Sequence, residues 1–296
     1  MPGVVMALFL LAGCQQKKEI HALVFLTDFG LKDGAVAAMK GVAFSVSPDL
    51  KQFDLTHDIT PFSIYEAAHR LQQAAPYWPA GTVFVSVVDP GVGSERKSIV
   101  LKTKTGHYFV TPDNGTVTLV ARQLGVAEVR EINEAVNRLQ NSEQSYTFHG
   151  RDVYAYTGAR LAANVISFEE VGSVLAQEIE ILELPIATVT SNGIAGQVTV
   201  LDVQYGNVWT NIDAATLKQA GIMPGDSVTV RLYHNESVVY HKKLLLGRTF
   251  ADVAPGSELA YLNSLLNFSL AVREGSFATR YGVGTGKEWR TELSKP

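Results

Sequence analysis

Short apolar runs alternate with longer stretches of helical spacing along the first half of the chain. The runs, rich in β-branched and aromatic residues, lie at Leu23–Leu26, Lys51–Leu55, Thr82–Val88, Ser98–Lys102 and Tyr108–Thr111. Helical spacing covers Gly34–Val46 and Ile64–Pro76, between the first three runs. Strands that alternate with helices are typical of a mainly parallel sheet flanked by helices. The pattern therefore predicts an α/β domain for this part of the chain.

A polar cluster follows each of four predicted strands. The clusters are Thr27-Asp28, Thr56-His57-Asp58, Asp89-Pro90 and Pro112-Asp113-Asn114. In open α/β sheets, ligands bind beyond the carboxyl ends of the strands, where loops carry polar groups over a rigid scaffold. We therefore expect a functional site at this edge of the sheet. For any one cluster taken alone, a turn or a helix N-cap is an equal explanation.

The pattern changes between Glu183 and Gly193, where Pro, Ser, Asn and Gly are typical of a linker. Beyond it the chain is rich in short apolar runs separated by turn residues. These runs lie at Gly196–Val203, Asn207–Ile212, Ser227–Tyr233, Val238–Leu246, Leu259–Tyr261 and Phe268–Val272. We predict an α/β domain over residues 22–185, a linker over 186–192, and a smaller all-β domain, a barrel or a sandwich, over 193–290.

Composition supports a folded protein and excludes one class of partner. Of 296 residues, 46% are hydrophobic, which is enough apolar side chain for two packed cores. The net charge is −4, from 25 basic and 29 acidic residues spread along the chain. Surfaces that bind nucleic acid need clustered Lys and Arg to neutralise phosphates. We therefore expect no nucleic acid partner.

The first residues resemble a bacterial lipoprotein signal. A short apolar run, Val4–Ala12, leads into Leu-Ala-Gly-Cys14, the pattern of a cleavage and lipidation site. We expect residues 1–21 to be a signal and linker, with a lipid on Cys14 anchoring the protein to a membrane outside the cytoplasm. No Lys or Arg precedes the run, and a buried strand or helix in a cytoplasmic protein is the alternative. Cys14 is the single cysteine, so neither an internal disulfide nor a cysteine-based metal cage is possible.

The segment Val88–Arg96 is the first candidate for chemistry. Its Pro and Gly residues predict a tight loop directly after a buried strand, flanked by Asp89 and Arg96. A carboxylate and a guanidinium on one short loop can form a charge-assisted pair. Such a pair either serves a bound ligand or fixes the loop. The Gly-x-Gly here lacks the residues that complete a phosphate-binding loop.

His149 is the second candidate for chemistry. It lies in Tyr-Thr-Phe-His149-Gly-Arg-Asp, between a polar stretch and an Ala-rich helical pattern at Val153–Ala163. The positive end of a helix dipole favours a neutral imidazole, which suits a proton acceptor. A lone His at such a position is also common as a structural residue, and Arg151 and Asp152 can form a structural ion pair.

Five short motifs occur in a fixed order along the chain. They are Thr27-Asp28-Phe29-Gly30, Asp89-Pro90-Gly91-Val92-Gly93, Pro112-Asp113-Asn114-Gly115, Thr147-Phe148-His149-Gly150-Arg151-Asp152 and Gly206-Asn207-Val208-Trp209-Thr210-Asn211. This set resembles the S-adenosyl-L-methionine hydroxide adenosyltransferases, which are relatives of fluorinase and chlorinase, and it covers about Leu23 to Phe277. The resemblance implies an enzyme that cleaves S-adenosyl-L-methionine with water, giving adenosine and L-methionine.

The resemblance implies that Asp89, Arg96 and His149 position the attacking water. The halogenating relatives lack the Arg and carry a different pair at His149-Gly150, so the chain resembles the hydrolytic branch. Synthesis of an adenosyl halide is the alternative within the family. We expect water to attack the ribose 5′ carbon in line with the sulfonium. His149 then accepts the proton, Asp89 orients the water or the imidazole, and Arg96 stabilises the developing hydroxide.

The resemblance also implies a substrate pocket built from both domains. Asp28 would bind the ribose hydroxyls, and Phe62 and Phe148 would line the adenosine pocket. Further substrate contacts are expected from Asn114, Asp202, Asn207, Phe250 and Ser264. The family is trimeric, with each site between the first domain of one subunit and the second domain of its neighbour. Ala35 and Leu265 stand where fluorinase has Ser and Arg, so contacts to the methionine end depart from that relative.

We expect no cofactor and no metal ion, and S-adenosyl-L-methionine as the small-molecule partner. The sulfonium is already a good leaving group, and His57 and Asp58 share a strand end without a further ligand close in sequence. Two other functions stay open at this point. One is a lipid-anchored protein that binds a nucleoside without turnover, and the other is an enzyme for a different adenosyl compound.

Overall fold

The computed structural model describes residues 21–295, so Cys14 and the predicted signal lie outside the described residues. The chain divides into two compact units, one ending at Leu182 and the other beginning at Glu183. The first unit is an α/β domain, and the second is a β-barrel.

A six-stranded sheet forms the centre of the first unit. Its strands are β1 (Leu23–Thr27), β2 (Gln52–Thr56), β3 (Val83–Val87), β4 (Ser98–Thr103), β5 (Tyr108–Pro112) and β6 (Val126–Glu131). They lie in the order β2-β1-β3-β5-β4-β6. β2, β1, β3 and β5 pair in parallel, whereas β4 runs antiparallel to both β5 and β6. The prediction of a mainly parallel sheet is confirmed.

Helices cover both faces of this sheet. They are α1 (Ala35–Val46), α2 (Ile64–Ala74), α3 (Thr118–Leu124), α4 (Glu134–Asn137) and α5 (Tyr156–Ala162), with a π-helical turn at Gly150–Ala155 directly before α5. One core lies between the sheet and α1 and α5, and a second includes α2 and α3. Leu23 and Phe25 of β1 belong to the first core, and Val24 and Leu26 belong to the second. Burial on both faces explains why the first four residues of β1 form an uninterrupted apolar run.

The second unit is a closed barrel of seven strands with one additional edge strand. Its elements are β7 (Thr188–Thr190), β8 (Gly193–Asp202), β9 (Asn207–Asp213), α6 (Ala214–Gln219), β10 (Ser227–His234), β11 (Ser237–Gly247), β12 (Glu258–Leu262), β13 (Asn267–Val272), α7 (Phe277–Tyr281) and β14 (Trp289–Ser294). The order is β8-β9-β13-β12-β11-β10-β14, and β14 pairs with β8 to close the barrel. The predicted all-β domain is confirmed, with a barrel rather than a sandwich.

Two strands differ from the predicted bounds of the second domain. β7 lies inside the predicted linker, and β14 extends past the predicted end at residue 290. All three residues of β7 are exposed, so no apolar alternation marks it. β14 alternates buried and half-buried residues, but Thr291 occupies one of its inward positions. A polar residue at such a position weakens the pattern from which strands are predicted.

Gly158 determines how closely α5 approaches the sheet. A Cβ at Gly158 would overlap Val85 and would lie 3.4 Å from Leu23 Cδ1. We expect Gly158→Ala to lower the free energy of unfolding by about 1–3 kcal/mol, because the added methyl group overpacks the core. A Cβ at Gly41, in α1, meets no heavy atom within 4 Å. Gly41→Ala should therefore raise this free energy by about 0.5–1 kcal/mol. Urea denaturation measures both changes, and stabilisation by Gly158→Ala would contradict this packing.

Candidate active site

A cavity of about 230 Å³ lies at the carboxyl edge of the first unit's sheet. Five of the residues that the sequence predicts for the site line it, namely Asp28, Phe62, Asp89, Phe148 and His149. Parallel pairing of β1 with β3 sets Thr27 opposite Val87. Asp28 and Asp89 therefore follow strands that end together at one edge of the sheet. The predicted position of a site beyond these strand ends matches the cavity.

Asp89 and Arg96 form an ion pair within the loop after β3, in which Arg96 Nη1 donates to Asp89 Oδ1. Asp89 Oδ1 also accepts the backbone N–H of Gly91 at 3.0 Å. The Asp89 side chain is 7% exposed and that of Arg96 is 25% exposed. A carboxylate so deeply buried needs such donors, because its loss of hydration is costly. Arg96 does not itself line the cavity, and it reaches the site through Asp89.

His149 lines the cavity and has a ring nitrogen without a protein partner in the part of the chain that the structure describes. Its Nε2 is buried and makes no hydrogen bond among residues 21–295. The Tyr146 ring meets the imidazole edge-on, with 6.1 Å between the ring centroids. Buried polar atoms in folded proteins almost always have a partner. This nitrogen is therefore suited to a hydrogen bond with a bound water or ligand.

Asp28 and Phe62 are joined by a hydrogen bond between the segments that follow β1 and β2. Asp28 Oδ2 accepts the backbone N–H of Phe62 at 2.8 Å. Phe62 has a left-handed backbone with φ 69°, and the residue is 70% exposed. For a bulky residue this conformation costs roughly 1–3 kcal/mol, and such strain concentrates at ligand sites. An exposed aromatic ring beside a carboxylate suits a ligand with an aromatic base and hydroxyl groups.

Close packing holds the segment that carries His149. Phe148 meets Phe29 edge-on, with 5.8 Å between the ring centroids. A Cβ at Gly150 would lie 3.2 Å from Phe29 and 3.3 Å from Val87 Cγ1. A larger residue at this position would have to displace the Phe29 ring or the end of β3. Gly150 thus lets the His149 segment approach the sheet closely.

Arg151 and Asp152 pair with each other rather than with the cavity. Arg151 Nε and Nη2 donate to the two carboxylate oxygens of Asp152, at 2.7 and 3.0 Å. Asp152 is fully buried, and its hydrogen bonds raise the pKa of Arg151 above the ordinary value. The structural ion pair considered from the sequence is therefore present.

Tyr154 lines the cavity, although the sequence did not single it out. Its hydroxyl accepts a hydrogen bond from Ser98 Oγ at 3.2 Å. Burial raises the pKa of Tyr154, and the negative charge of Asp89 raises it further, so the side chain stays a neutral phenol. The residue follows His149 within the π-helical turn Gly150–Ala155. Continuation of the helical segment past His149 is the signal that could have placed Tyr154 at the site.

Asn114 does not line the cavity, in contrast to the other first-domain residues predicted to bind substrate. Its Nδ2 donates to the Val88 carbonyl at 2.9 Å. Its Oδ1 accepts both the backbone N–H and the hydroxyl of Thr116, at 3.1 and 2.6 Å. The side chain therefore ties the loop after β5 to the residue that precedes Asp89. In this structure Asn114 supports the backbone next to Asp89.

The side chains of the first unit do not form a metal centre in the part of the chain that the structure describes. No three His, Cys, Asp or Glu residues between positions 21 and 295 are grouped so that they could hold an ion. His57, considered above with Asp58, has both ring nitrogens engaged by other side chains. Nδ1 pairs with Thr27 Oγ1 at 2.8 Å, and Nε2 pairs with Asp54 Oδ1 at 3.0 Å.

The second unit contains a larger pocket of about 700 Å³. Its lining includes the four residues that the sequence predicts for this domain, namely Asp202, Asn207, Phe250 and Ser264. Asn207 Nδ2 donates to Asp202 Oδ2 at 3.0 Å. The Phe250 and Tyr261 rings lie 5.0 Å apart between centroids. Aromatic faces and amide groups around one pocket suit a flat heterocycle with polar edges.

Comparison with known proteins relates both units to one family. Residues 23–172 match the family model described as SAM hydroxide adenosyltransferase N-terminal domain, and residues 196–290 match the model of the C-terminal domain. The (R)-S-adenosyl-L-methionine hydrolase of Methanocaldococcus jannaschii is 37% identical over 76% of this chain and 79% of its own length. The protein of the same name from Salinispora tropica is 35% identical over 90% of this chain and 95% of its own length. A fluorinase from Actinopolyspora mzabensis is 30% identical over 92% of this chain and 97% of its own length.

Solved structures share the fold. The crystal structure of an uncharacterized conserved protein from Thermotoga maritima is 36% identical to this chain and has a TM-score of 0.83. The superposition covers 92% of this chain and 100% of the Thermotoga maritima chain. The predicted combination of an α/β domain with a smaller all-β domain is therefore confirmed, and the all-β domain is a barrel.

The predicted location, a lipid-anchored protein outside the cytoplasm, is wrong. The relatives are named as hydrolases of S-adenosyl-L-methionine, and the similarity to them supports no lipoprotein feature. Among residues 21–295, no helix is both long and apolar enough to cross a membrane. The error has a simple physical cause. A four-residue motif around Cys14 carries little information about location.

Gly91 leaves the space that the Arg96 guanidinium occupies. A Cβ at Gly91 would overlap this group and would lie 2.8 Å from Arg96 Cζ. We expect Gly91→Ala to displace Arg96 and to lower the free energy of unfolding by about 1–3 kcal/mol, because Asp89 then loses a partner in a buried place. A Cβ at Gly34 meets nothing within 4 Å, so Gly34→Ala is the matched control. Crystal structures and urea denaturation test both variants, and an unmoved Arg96 in Gly91→Ala would contradict the prediction.

Proposed function

The chain belongs to the SAM hydroxide adenosyltransferase family, and we propose that it hydrolyses S-adenosyl-L-methionine to adenosine and L-methionine. Two relatives named as hydrolases have sequence identities of 37% and 35% to this chain, against 30% for a fluorinase. This difference favours water over halide as the nucleophile. One observation carries the proposal: Asp89, with its partner Arg96, lines the same cavity as His149, whose Nε2 has no hydrogen-bond partner among residues 21–295. Water must lose a proton as it attacks, and this cavity offers an acceptor.

The reaction breaks one bond and forms one. The water oxygen attacks the ribose 5′ carbon while the C–S bond breaks, and the bonding electrons pass to sulfur. The sulfonium becomes the neutral thioether of methionine, the water contributes its hydroxyl group to adenosine, and one proton is released. Since the sulfonium is a good leaving group, the task of the protein is to align the water and to exclude bulk solvent. Hydrolysis by this route needs neither a metal ion nor a redox cofactor.

Two side chains act on the water directly, and Arg96 acts through Asp89. His149 Nε2 accepts the proton, and Asp89 orients the water. Because Arg96 and the Gly91 N–H both bind Asp89 Oδ1, the Oδ2 atom is the one that meets the water. Arg96 adds a positive charge beside Asp89 that stabilises hydroxide character as it develops. Such groups act strongly because they are already in place and do not reorganise during the reaction.

The remaining residues bind the substrate. Asp28 uses Oδ2 for the Phe62 N–H, so Oδ1 is the oxygen that accepts from the ribose hydroxyls. Phe62 and Phe148 provide aromatic faces in the adenosine pocket. In the second unit, further contacts to the substrate come from Asp202, Asn207, Phe250 and Ser264.

The active assembly is a homotrimer in which the first-unit cavity of one subunit acts with the second-unit pocket of a neighbour. A cavity of about 230 Å³ is smaller than the pockets that usually enclose small molecules, roughly 300–1,000 Å³. The substrate therefore needs additional walls. The second-unit pocket, about 700 Å³ with aromatic and amide groups, has the size and chemistry to supply them.

Removal of Arg96 or His149 tests the reaction. We expect Arg96→Ala and His149→Ala to lower kcat by about a hundred- to ten-thousand-fold, because each removes a group that acts on the water. Binding of S-adenosyl-L-methionine, measured by calorimetry, should persist in both variants. The exposed residues Arg122 and His241 offer matched controls, and Arg122→Ala and His241→Ala should keep wild-type turnover.

The same assay separates the alternatives. Near-wild-type turnover by either site variant would overturn the roles given to these residues. Formation of a 5′-halo-adenosine when chloride or fluoride is added would favour the halide reaction. Adenosine binding by the wild-type protein, without release of adenosine from S-adenosyl-L-methionine, would instead support a nucleoside-binding protein.

Mixed assemblies test whether the site is shared between subunits. Arg96→Ala inactivates the first unit, and Asp202→Ala with Asn207→Ala impairs the second. If sites form between subunits, a randomised equal mixture of the two variants should recover about one quarter of wild-type activity, because that share of sites combines two intact halves. Each variant alone should stay inactive after the same treatment. No recovery in mixtures that light scattering shows to be trimeric would contradict a shared site.

A further inference from the structure

A chain of side-chain hydrogen bonds, buried at the end nearer β1, runs from Thr27 to Lys40 and has no part in the reaction described above. The His57 imidazole, 4% exposed, stands between Thr27 at the end of β1 and Asp54 in β2. Its Nδ1 lies 2.8 Å from Thr27 Oγ1, and its Nε2 lies 3.0 Å from Asp54 Oδ1. Lys40 Nζ, from α1, donates to Asp54 Oδ2 at 2.6 Å. Four side chains thus connect the half-exposed Lys40 to the end of β1.

The Asp54 carboxylate determines which ring nitrogen of a neutral His57 carries the proton. The Asp54 carboxylate only accepts, and hydrogen bonds from Lys40 and His57 keep its pKa below the ordinary value even though burial raises it. His57 Nε2 therefore carries the proton and donates to Asp54. In a neutral imidazole Nδ1 is then an acceptor, to which the Thr27 hydroxyl donates. The Thr27 oxygen is then free to accept from a further donor.

That further donor is the backbone of the segment that carries Asp28. The Phe29 N–H donates to Thr27 Oγ1 at 3.2 Å, which closes a turn around Asp28. The His57 carbonyl accepts the Gly30 N–H at 2.7 Å, and the Thr27 carbonyl accepts the Ile59 N–H at 3.4 Å. The segments after β1 and β2 are therefore bound to each other through both side chains and backbone. These segments carry Asp28 and Phe62, which both line the cavity.

We propose that Thr27 and His57 are positioning residues, which fix the turn around Asp28 so that its carboxylate meets the ribose hydroxyls of the substrate. The inference rests on the proposed function, in which Asp28 binds those hydroxyls. The His57 imidazole and the Thr27 hydroxyl are buried, and their hydrogen bonds to Asp54, to each other and to the Phe29 N–H restrict the geometry of this strand end. Thr27 supplies that placement through one hydroxyl, which bonds to both His57 and Phe29.

Calorimetry with two ligands isolates this role. Adenosine carries both ribose hydroxyls, and 2′,3′-dideoxyadenosine lacks them, so the ratio of their dissociation constants measures recognition of the hydroxyls. We expect the wild-type protein to prefer adenosine. Thr27→Val should reduce this preference about three- to tenfold, because it weakens the binding of adenosine alone, as expected for one misplaced hydrogen bond. Thr27→Ser, which keeps the hydroxyl, should restore the wild-type ratio.

Thr56 offers a matched control at the neighbouring strand end. Its Oγ1 accepts the Asp58 N–H at 3.1 Å, in a turn of the same kind that does not include Asp28. Thr56→Val should therefore keep the wild-type ratio. His57→Phe, which keeps the volume of a ring and removes the acceptor, gives a second route if Thr27→Val does not fold. It should reduce the preference as Thr27→Val does.

The outcomes separate the inference from the function on which it rests. If Thr27→Val weakens the binding of both ligands equally, the role of Thr27 is merely structural and the inference is overturned. An unchanged ratio of dissociation constants would overturn it as well. If Asp28→Asn abolishes the preference while Thr27→Val and His57→Phe keep it, Asp28 retains its proposed role and only the inference fails. A wild-type protein that binds both ligands equally would overturn the role of Asp28 and the inference together.

Discussion

The parallel pairing of β1 with β3 is the constraint on which the candidate site depends. The register sets Thr27 opposite Val87, and Asp28 and Asp89 follow these strand ends. Every residue of both strands is buried, so a slip of one residue would turn the apolar side chains of one core toward the other. Two carboxylates at one small cavity would repel each other without partners. Asp28 is instead held by a backbone N–H, and Asp89 by a guanidinium and a backbone N–H.

The strands beneath the site were predictable because their burial leaves a clear signal. β1 and β3 consist mainly of buried apolar residues, and each is followed by a polar cluster. Asp89 and Arg96 flank one short loop, so their pairing follows from local sequence. His149 lies far along the chain from both. Only the family resemblance joined it to them, because apolar periodicity describes elements and not the loops that meet in space.

Other parts of the site depend on contacts that local sequence does not contain. Asn114 belongs to a motif of the family, but its amide donates to the Val88 carbonyl and the residue does not line the cavity. Tyr154 lines the cavity through a π-helical turn, whose spacing differs from the helical period used for prediction. β6 and β7 lack the apolar alternation of a half-buried strand and were missed. At the other extreme, the short motif at Cys14 matched a signal pattern and led to a wrong location.

Water and a halide ion place opposite demands on the charge of such a cavity. A halide brings a negative charge and releases no proton, so its site needs hydrogen-bond donors and no base. The carboxylate of Asp89 would repel an anion here, and the guanidinium of Arg96 is already engaged by that carboxylate. Water can donate to a carboxylate and to an imidazole at once, and it must lose a proton when it attacks. The unpaired Nε2 of His149 therefore has a use in hydrolysis that it lacks in halide transfer.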